Sequence, residues 1–413
     1  MHSPEKTREV NLFHKCKALY SMGLLYRRHS LKISRWKKEY LQYRSGKIKE
    51  APLPAILQVI PAEHCNLRCP MCNQWGEQGY FREGRREAAH MPFEKFAKTL
   101  DHFQKINPGF LLSLHGGEPF AYRHIDQLLD YLVANPLDVM ISTNGTLLDR
   151  HLPRLAEINS RTVYLVSIDG DEKTNDGIRG EGTTSKIINS LSKLTQECLS
   201  RKKGIPHIII NYCLSEYNTH CVESVVSLAR KLNAMALNYN FRWFLTEEAG
   251  EAYDATLREQ FQVKPTGAWR GWLAPKPVQG IDSALKKIYR MRHQKWFPLV
   301  TLLPSGLSFS QAIEFYKNYD ETFGITSCIM PSFQTRIHSN GDMVFCPGHP
   351  DIIPGNVFSD DFETVYHGAL AGKLRKKVEE ELLPICNRCC GIYMNHRAAE
   401  KLGAGYSVHR SSV

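Results

Sequence analysis

Between residues 55 and 245 the chain repeats one pattern: a short apolar run, then a longer amphipathic stretch. Candidate strands fall at 55–60, 109–115, 137–142, 162–168, 206–213 and 236–245. Helical segments lie between them near 92–106, 123–134, 147–158, 184–199 and 218–232. Strand followed by helix, repeated, builds a parallel sheet with crossover helices. A closed eight-fold barrel takes about 250 residues, and this block is shorter. The expected fold is therefore α/β: a partial (β/α)6 TIM-like barrel, open along one side. In such sheets ligands collect at the carboxyl ends of the strands.

The informative motifs sit at those ends. After the first strand comes Glu63-His64-Cys65-Asn66-Leu67-Arg68-Cys69-Pro70-Met71-Cys72. Three thiolates at C-x3-C-x2-C can fill three corners of a four-iron cluster and leave one iron open. A structural zinc would need a fourth ligand, and His64 adjoins Cys65 too closely to wrap round easily. Three unrelated buried thiols are the plain alternative. The second strand ends in Gly116-Gly117-Glu118-Pro119, where two glycines let a ligand approach the backbone and a carboxylate can accept from an ammonium. A simple turn would look the same. The third and fourth strands end in Ser142-Thr143-Asn144-Gly145 and Ser167-Ile168-Asp169-Gly170, with Arg179 beyond. These small polar residues suit a ribose or carboxylate, or merely cap the next helix. Asn211, Asn240 and Arg242 face the same mouth if the strands alternate in register.

Together Cys65, Cys69, Cys72 and the Gly116–Pro119 stretch resemble the signature of the radical S-adenosylmethionine (SAM) superfamily. The resemblance implies that the open iron binds the amino and carboxylate groups of SAM. Reductive cleavage then gives a 5′-deoxyadenosyl radical that abstracts a substrate hydrogen atom. It also carries SAM contacts onto Gly116, Gly117, Glu118, Pro119, Thr143, Asn144, Ser167 and Arg179. Met71 stands where the family usually has an aromatic residue near the adenine, and a thioether can also lie against a ring. An external electron donor such as flavodoxin or ferredoxin is implied as well.

A second cysteine group follows: Cys328, Cys346 in Gly341-Asp342-Met343-Val344-Phe345-Cys346, then Cys386, Cys389 and Cys390. With Gly355-Asn356-Val357 it resembles a SPASM or shorter twitch domain. A full SPASM domain carries seven cysteines, and the usual C-x5-C-x3-C continuation is absent. One auxiliary 4Fe–4S cluster is expected, through Cys328, Cys346, Cys386 and Cys389, with Cys390 as a substitute ligand. A structural zinc held by four cysteines remains the alternative. Cys16, Cys198, Cys213 and Cys221 read as ordinary thiols.

The expected division is a basic helical extension (1–50), the barrel (51–246), an irregular or helical connecting segment (247–323), a small cysteine-rich cluster-binding domain (324–395) and a tail (396–413). Residues 1–50 hold 13 Lys+Arg against 4 Asp+Glu, +9 of the chain's net +11. The catalytic body is thus almost neutral, which argues against nucleic acid. Leu12, Cys16, Leu19, Tyr20, Leu24, Ile33, Trp36 and Tyr40 recur at helical spacing among basic residues. Residues 10–44 then form either an interfacial helix on an anionic membrane or a helix packed on the barrel. No transmembrane run or signal peptide is evident, and clustered cysteines suit a reducing compartment. A cytoplasmic protein is expected, with peripheral membrane contact as the open variant.

The functional expectation is oxidation or epimerisation of a small molecule, sugar or cell-envelope component. The alternatives are maturation of a ribosomally made peptide and a non-catalytic iron–sulfur or zinc protein.

Overall fold

The computed structural model describes residues 12–85, 87–273, 278–293, 298–346 and 350–393, and the side chains of 12–22 and 24–26 lie outside the description. The expected tail, and Leu12, Cys16, Leu19, Tyr20 and Leu24 as side chains, fall outside it.

Helix α1 (Leu12–Arg44) precedes the sheet. The alternation then runs β1 (Ile56–Val59), α2 (Phe93–Ile106), β2 (Leu111–Leu114), α3 (Ile125–Ala134), β3 (Val139–Thr143), α4 (Leu152–Ile158) and β4 (Thr162–Ser167). It continues through α5 (Glu172–Arg179), α6 (Thr183–Ser200), β5 (His207–Leu214), α7 (Val225–Lys231) and β6 (Ala236–Phe241). The six expected strands are all present. The stretch 247–323, expected to be irregular or helical, holds helices α8 (Glu247–Thr256), α9 (Ile281–Arg292) and α10 (Phe309–Lys317) and also a strand, β7 (Leu299–Leu303). Last come α11 (Met330–Phe333), β8 (Gln334–Ile337), β9 (Met343–Val344), α12 (Phe362–His367) and α13 (Ala369–Glu380).

The strand order is β7-β6-β5-β4-β3-β2-β1-β8-β9, and all neighbours are parallel except β8 and β9. Eight parallel strands therefore follow the order of a (β/α)8 barrel, but β7 and β8 do not pair. Hairpin partner β9 occupies the edge of β8 that would close the ring. The partial barrel is thus opened at a single seam, and its sheet runs without a break into the cysteine-rich region.

Alternation along each strand separates two faces. On β4, Thr162, Tyr164 and Val166 are buried under the helices while Val163, Leu165 and Ser167 are partly exposed on the inner face. The outer layer is apolar at helical spacing: Phe96, Leu100 and Phe103 of α2 are fully buried. Each such side chain contributes roughly 1.5–3 kcal/mol on leaving water.

Helix α1 packs against the barrel from residue 28 onward. Trp36 and Tyr40 are stacked at 4.9 Å and buried with Ile329. Asp138, at the start of β3, accepts from Arg28 at 3.1 Å, His29 at 3.2 Å and Lys32 at 3.2 Å. Burial opposes ionisation of Asp138, yet these cations hold its carboxyl below the usual range. Tyr40 and Arg44 both reach Glu379 of α13. Much of the basic character of 28–44 therefore serves as a clamp. Among the described residues no helix is long and apolar enough to cross a membrane.

Candidate active site

The loop of 60–92 between β1 and α2 carries Cys65, Cys69 and Cys72 across the carboxyl ends of the strands. All three thiols are partly exposed. Each has a nitrogen donor nearby: Leu67 N lies 3.4 Å from Cys65 Sγ and Trp75 N 3.5 Å from Cys72 Sγ. Asn144 Nδ2 is 4.0 Å from Cys65 Sγ and Arg179 Nη1 is 3.9 Å from Cys69 Sγ. Such donors favour the thiolate, whereas burial pushes the Cys65 thiol up to about 12 and Cys69 up as well. Loading iron at these sulfurs must therefore release protons.

The Gly116–Pro119 stretch is stitched to this loop. Gly117 N donates to Ala62 O at 3.1 Å and Glu118 N to His64 O at 2.9 Å. A Cβ on Gly117 would lie 2.1 Å from His64 O, and Gly116 has φ +129° with the same crowding against Ala62. The two glycines let two backbones meet. The Glu118 carboxylate, 1% exposed, faces inward: it accepts from Phe120 N at 3.1 Å, Thr143 Oγ1 at 2.7 Å and Asn144 N at 2.7 Å. Its protein partners are thus Thr143 and Asn144, which it fixes at the end of β3. Burial raises its pKa to about 7 against those hydrogen bonds. Pro119 opens a 3-10 turn over 119–121.

Asn144 Nδ2 also donates to Asn66 Oδ1 at 2.9 Å, tying β3 to the cysteine loop. Ser167 ends β4 on the inner face, in register with Asn211. Arg179, expected to meet a carboxylate, pairs at 2.5 Å with one of the protein's own: Asp169, which is fully buried. Met71 is buried, and Ser215 Oγ donates to its Sδ at 3.6 Å. Asn211 and Asn240 share the inner face, joined by Asn238, whose Nδ2 reaches them at 3.0 and 3.2 Å. Arg242 lies beyond β6, paired with Glu216.

Beside the loop is a cavity of about 590 Å³, lined among others by Pro70, Cys72, Glu77, Glu216, Arg242 and Leu273. The segment 268–272 closes one side, its Gly271 pressed against Asn73 O. Sequence reasoning missed Gly271, Asn238 and the Asp169 carboxylate. It also missed Glu63, whose Oε1 meets His338 Nδ1 at 2.7 Å and links the cysteine loop to the β8–β9 turn. Nothing local signals a pair 275 residues apart.

In the C-terminal region Cys328 and Cys386 are buried and Cys346 and Cys389 partly so. Burial raises the Cys386 pKa first, and then the neighbouring Cys328, Cys346 and Cys389 do. The four are thus near enough to one another to interact electrostatically. Backbone nitrogens of Met330 and Gly391 approach Cys328 and Cys389 at 3.4 Å. Cys390 meets the side chain of Trp243 and also lies near Cys389 and Cys328. A single zinc needs its sulfurs about 2.3 Å from one point. Among the described residues no three His, Cys, Asp or Glu side chains converge so. In a cubane each thiolate meets its own iron; Cys65, Cys69 and Cys72 would hold one such cluster and Cys328, Cys346, Cys386 and Cys389 the other.

An open α/β barrel with three cysteines at its mouth and further cysteines beside its last strands is the arrangement that the resemblance to SAM-cleaving, cluster-binding proteins implies. Residues 59–228 match the radical SAM superfamily and residues 328–390 the iron–sulfur cluster-binding domain called SPASM. The chain is a radical SAM protein with a SPASM-type domain, and its cofactors are SAM, a 4Fe–4S cluster and an auxiliary cluster. It is similar to the mycofactocin maturase MftC of Mycobacterium tuberculosis, 25% identical over 341 residues, 79% of this chain and 73% of that one. It is also 24% identical over 196 residues to the subtilosin biosynthesis protein AlbA of Bacillus subtilis, 46% of this chain and 40% of that one. Streptococcus suis SuiB bound to SAM shares the fold, with TM-score 0.56, 17% identity and coverage of 82% of this chain and 71% of that one.

Proposed function

We propose that this chain is a radical SAM maturase that abstracts a hydrogen atom from a peptide. The observation that carries the reading is the similarity to MftC, a maturase by name, along 79% of the chain. That span supports the peptide alternative over the small-molecule, sugar or envelope substrate expected from the sequence.

Cys65, Cys69 and Cys72 would hold the 4Fe–4S cluster, which would supply the electron for reductive cleavage of SAM. The protein's part is placement. Glu118 holds Thr143 and Asn144 at the end of β3, Arg179 is fixed by Asp169 beside Cys69, and Gly116–Gly117 keep the loop against β2. The inner-face residues Ser167, Asn211 and Asn240 offer hydrogen bonds to SAM or substrate. Cys328, Cys346, Cys386 and Cys389 would hold the auxiliary cluster, which would supply electron transfer and so suit an oxidative outcome. A donor of the flavodoxin or ferredoxin kind belongs to this reading.

The test is SAM cleavage by anaerobically reconstituted protein with dithionite, with random short peptides or a panel of sugars added. Peptide-stimulated 5′-deoxyadenosine and a mass change on the peptide are expected. Stimulation by sugars alone would overturn the reading.

A further inference from the structure

Helix α1 has two faces. On one, Arg28, His29 and Lys32 hold Asp138, Trp36 and Tyr40 are buried, and Arg44 reaches Glu379. On the other, Arg27, Leu31, Ser34, Lys38, Leu41 and Ser45 follow at intervals of three or four, so they form one stripe. Leu41 is half-buried and the other five are exposed. Leu31 is 65% exposed, more than any other large apolar side chain among the described residues.

This side of the molecule is cationic and nearly without acid. Residues 12–49 hold 11 Lys+Arg and one acidic residue, Glu39, which Arg35 engages at 3.0 Å. Packing on the barrel accounts for Arg28, Lys32 and Arg44. Among the described residues no carboxylate pairs with Arg27, Lys37, Lys38, Lys47 or Lys49. Lys37, Lys38 and Lys47, with Ser34, Leu41 and Ser45, line an open groove of about 590 Å³.

We propose that the outer face of α1 docks on an anionic lipid bilayer, with Leu31 and Leu41 entering the interface and the lysines meeting headgroup phosphates. Charge complementarity selects an anionic surface, because these five cations have no counter-charge in the chain. The leucines separate lipid from other polyanions, since a nucleic acid offers phosphates with no apolar layer beneath them. Leu31 and Leu41 stand about 15 Å apart along the helix. That is too far to share one pocket of a protein partner, whereas a bilayer takes each separately. Lysine and arginine stems lie along such a boundary with their charged ends among the headgroups. The helix is then packed through one face and interfacial through the other. The docking is independent of which substrate the barrel mouth takes.

The test uses the full chain with both clusters, kept anaerobic and sedimented with vesicles of phosphatidylcholine alone or mixed with phosphatidylglycerol. Binding to the mixed vesicles only, reversed by high salt, is expected. One basic residue near such a surface gives roughly a fivefold gain in partition, so Lys37/Lys38/Lys47→Gln should lower binding about a hundredfold. Leu31→Ala should lower it several-fold and keep the salt dependence. Lys317→Gln, which removes an exposed cation of α10, should bind as wild type. Iron content and dithionite-driven SAM cleavage of all three variants should match wild type, which separates lost docking from lost folding. Failure to bind the mixed vesicles, equal binding to neutral and anionic vesicles, or unchanged binding by the triple variant overturns the proposal. Capture of a polyglutamate peptide or an RNA in place of vesicles would overturn it too, and would assign this face to an acidic protein or to nucleic acid.

Discussion

The two cysteine groups solve opposite problems. Cys65, Cys69 and Cys72 are partly exposed on a long loop whose shape is held from outside, by Gly116–Gly117, Asn144, Arg179 and Gly271. Cys328 and Cys386 are buried, and Cys328 N and Cys386 N donate to Val378 O and Leu383 O within their own region. A cluster that must admit SAM needs an accessible face and a loop positioned by the barrel. A cluster with four protein ligands needs only enclosure. The first is tuned by residues far away in sequence, the second by its immediate surroundings.

The strongest break of this contrast is Cys65/Cys69/Cys72→Ala. Iron should fall from about eight to about four per chain, since each cubane holds four, and 5′-deoxyadenosine formation should stop. Zinc measured on the same samples checks the C-terminal site: one zinc in place of four irons would remove its redox role. Cys386→Ala should lose the other four irons and lower the melting temperature, because metal binding is folding energy. It should leave SAM cleavage measurable while product formation stops.

Smaller effects sharpen the comparison. Arg179→Met strands the buried Asp169 carboxylate and should cost about 3–5 kcal/mol in denaturant unfolding. Gly117→Ala drives a Cβ into His64 O, so SAM cleavage should drop at least tenfold with iron still bound at the C-terminal site. Asp138→Asn is the mildest, about 1–3 kcal/mol for a buried acceptor of charged donors. Its folded pKa lies below 3.8. The stability it contributes is therefore present above that value and lost as pH falls below it. The gap between the melting curves of wild type and Asp138→Asn should narrow as pH falls below about 4.

Much of the fold was legible because strand and helix periods are local. Strands β7, β8 and β9 were the exceptions: runs this short, β7 between two prolines, read equally well as loops. In the site, the cysteines and the Gly-Gly-Glu-Pro stretch stood out by spacing, whereas their partners did not. The contacts of Glu118 with Thr143 and Asn144, and of Arg179 with Asp169, are announced by no local pattern.

The sequence by itself determined the chemistry, because ligation by thiolates depends on residue type and on spacings of a few positions. It also determined the βα order, because periodicity is written residue by residue. Only the tertiary structure decided that β8 joins β1, that β9 blocks ring closure, and that β7 is left with a strand partner on one side only. Those outcomes depend on which strands, more than 200 residues apart in the case of β1 and β8, satisfy each other's backbone groups. No local pattern encodes that choice.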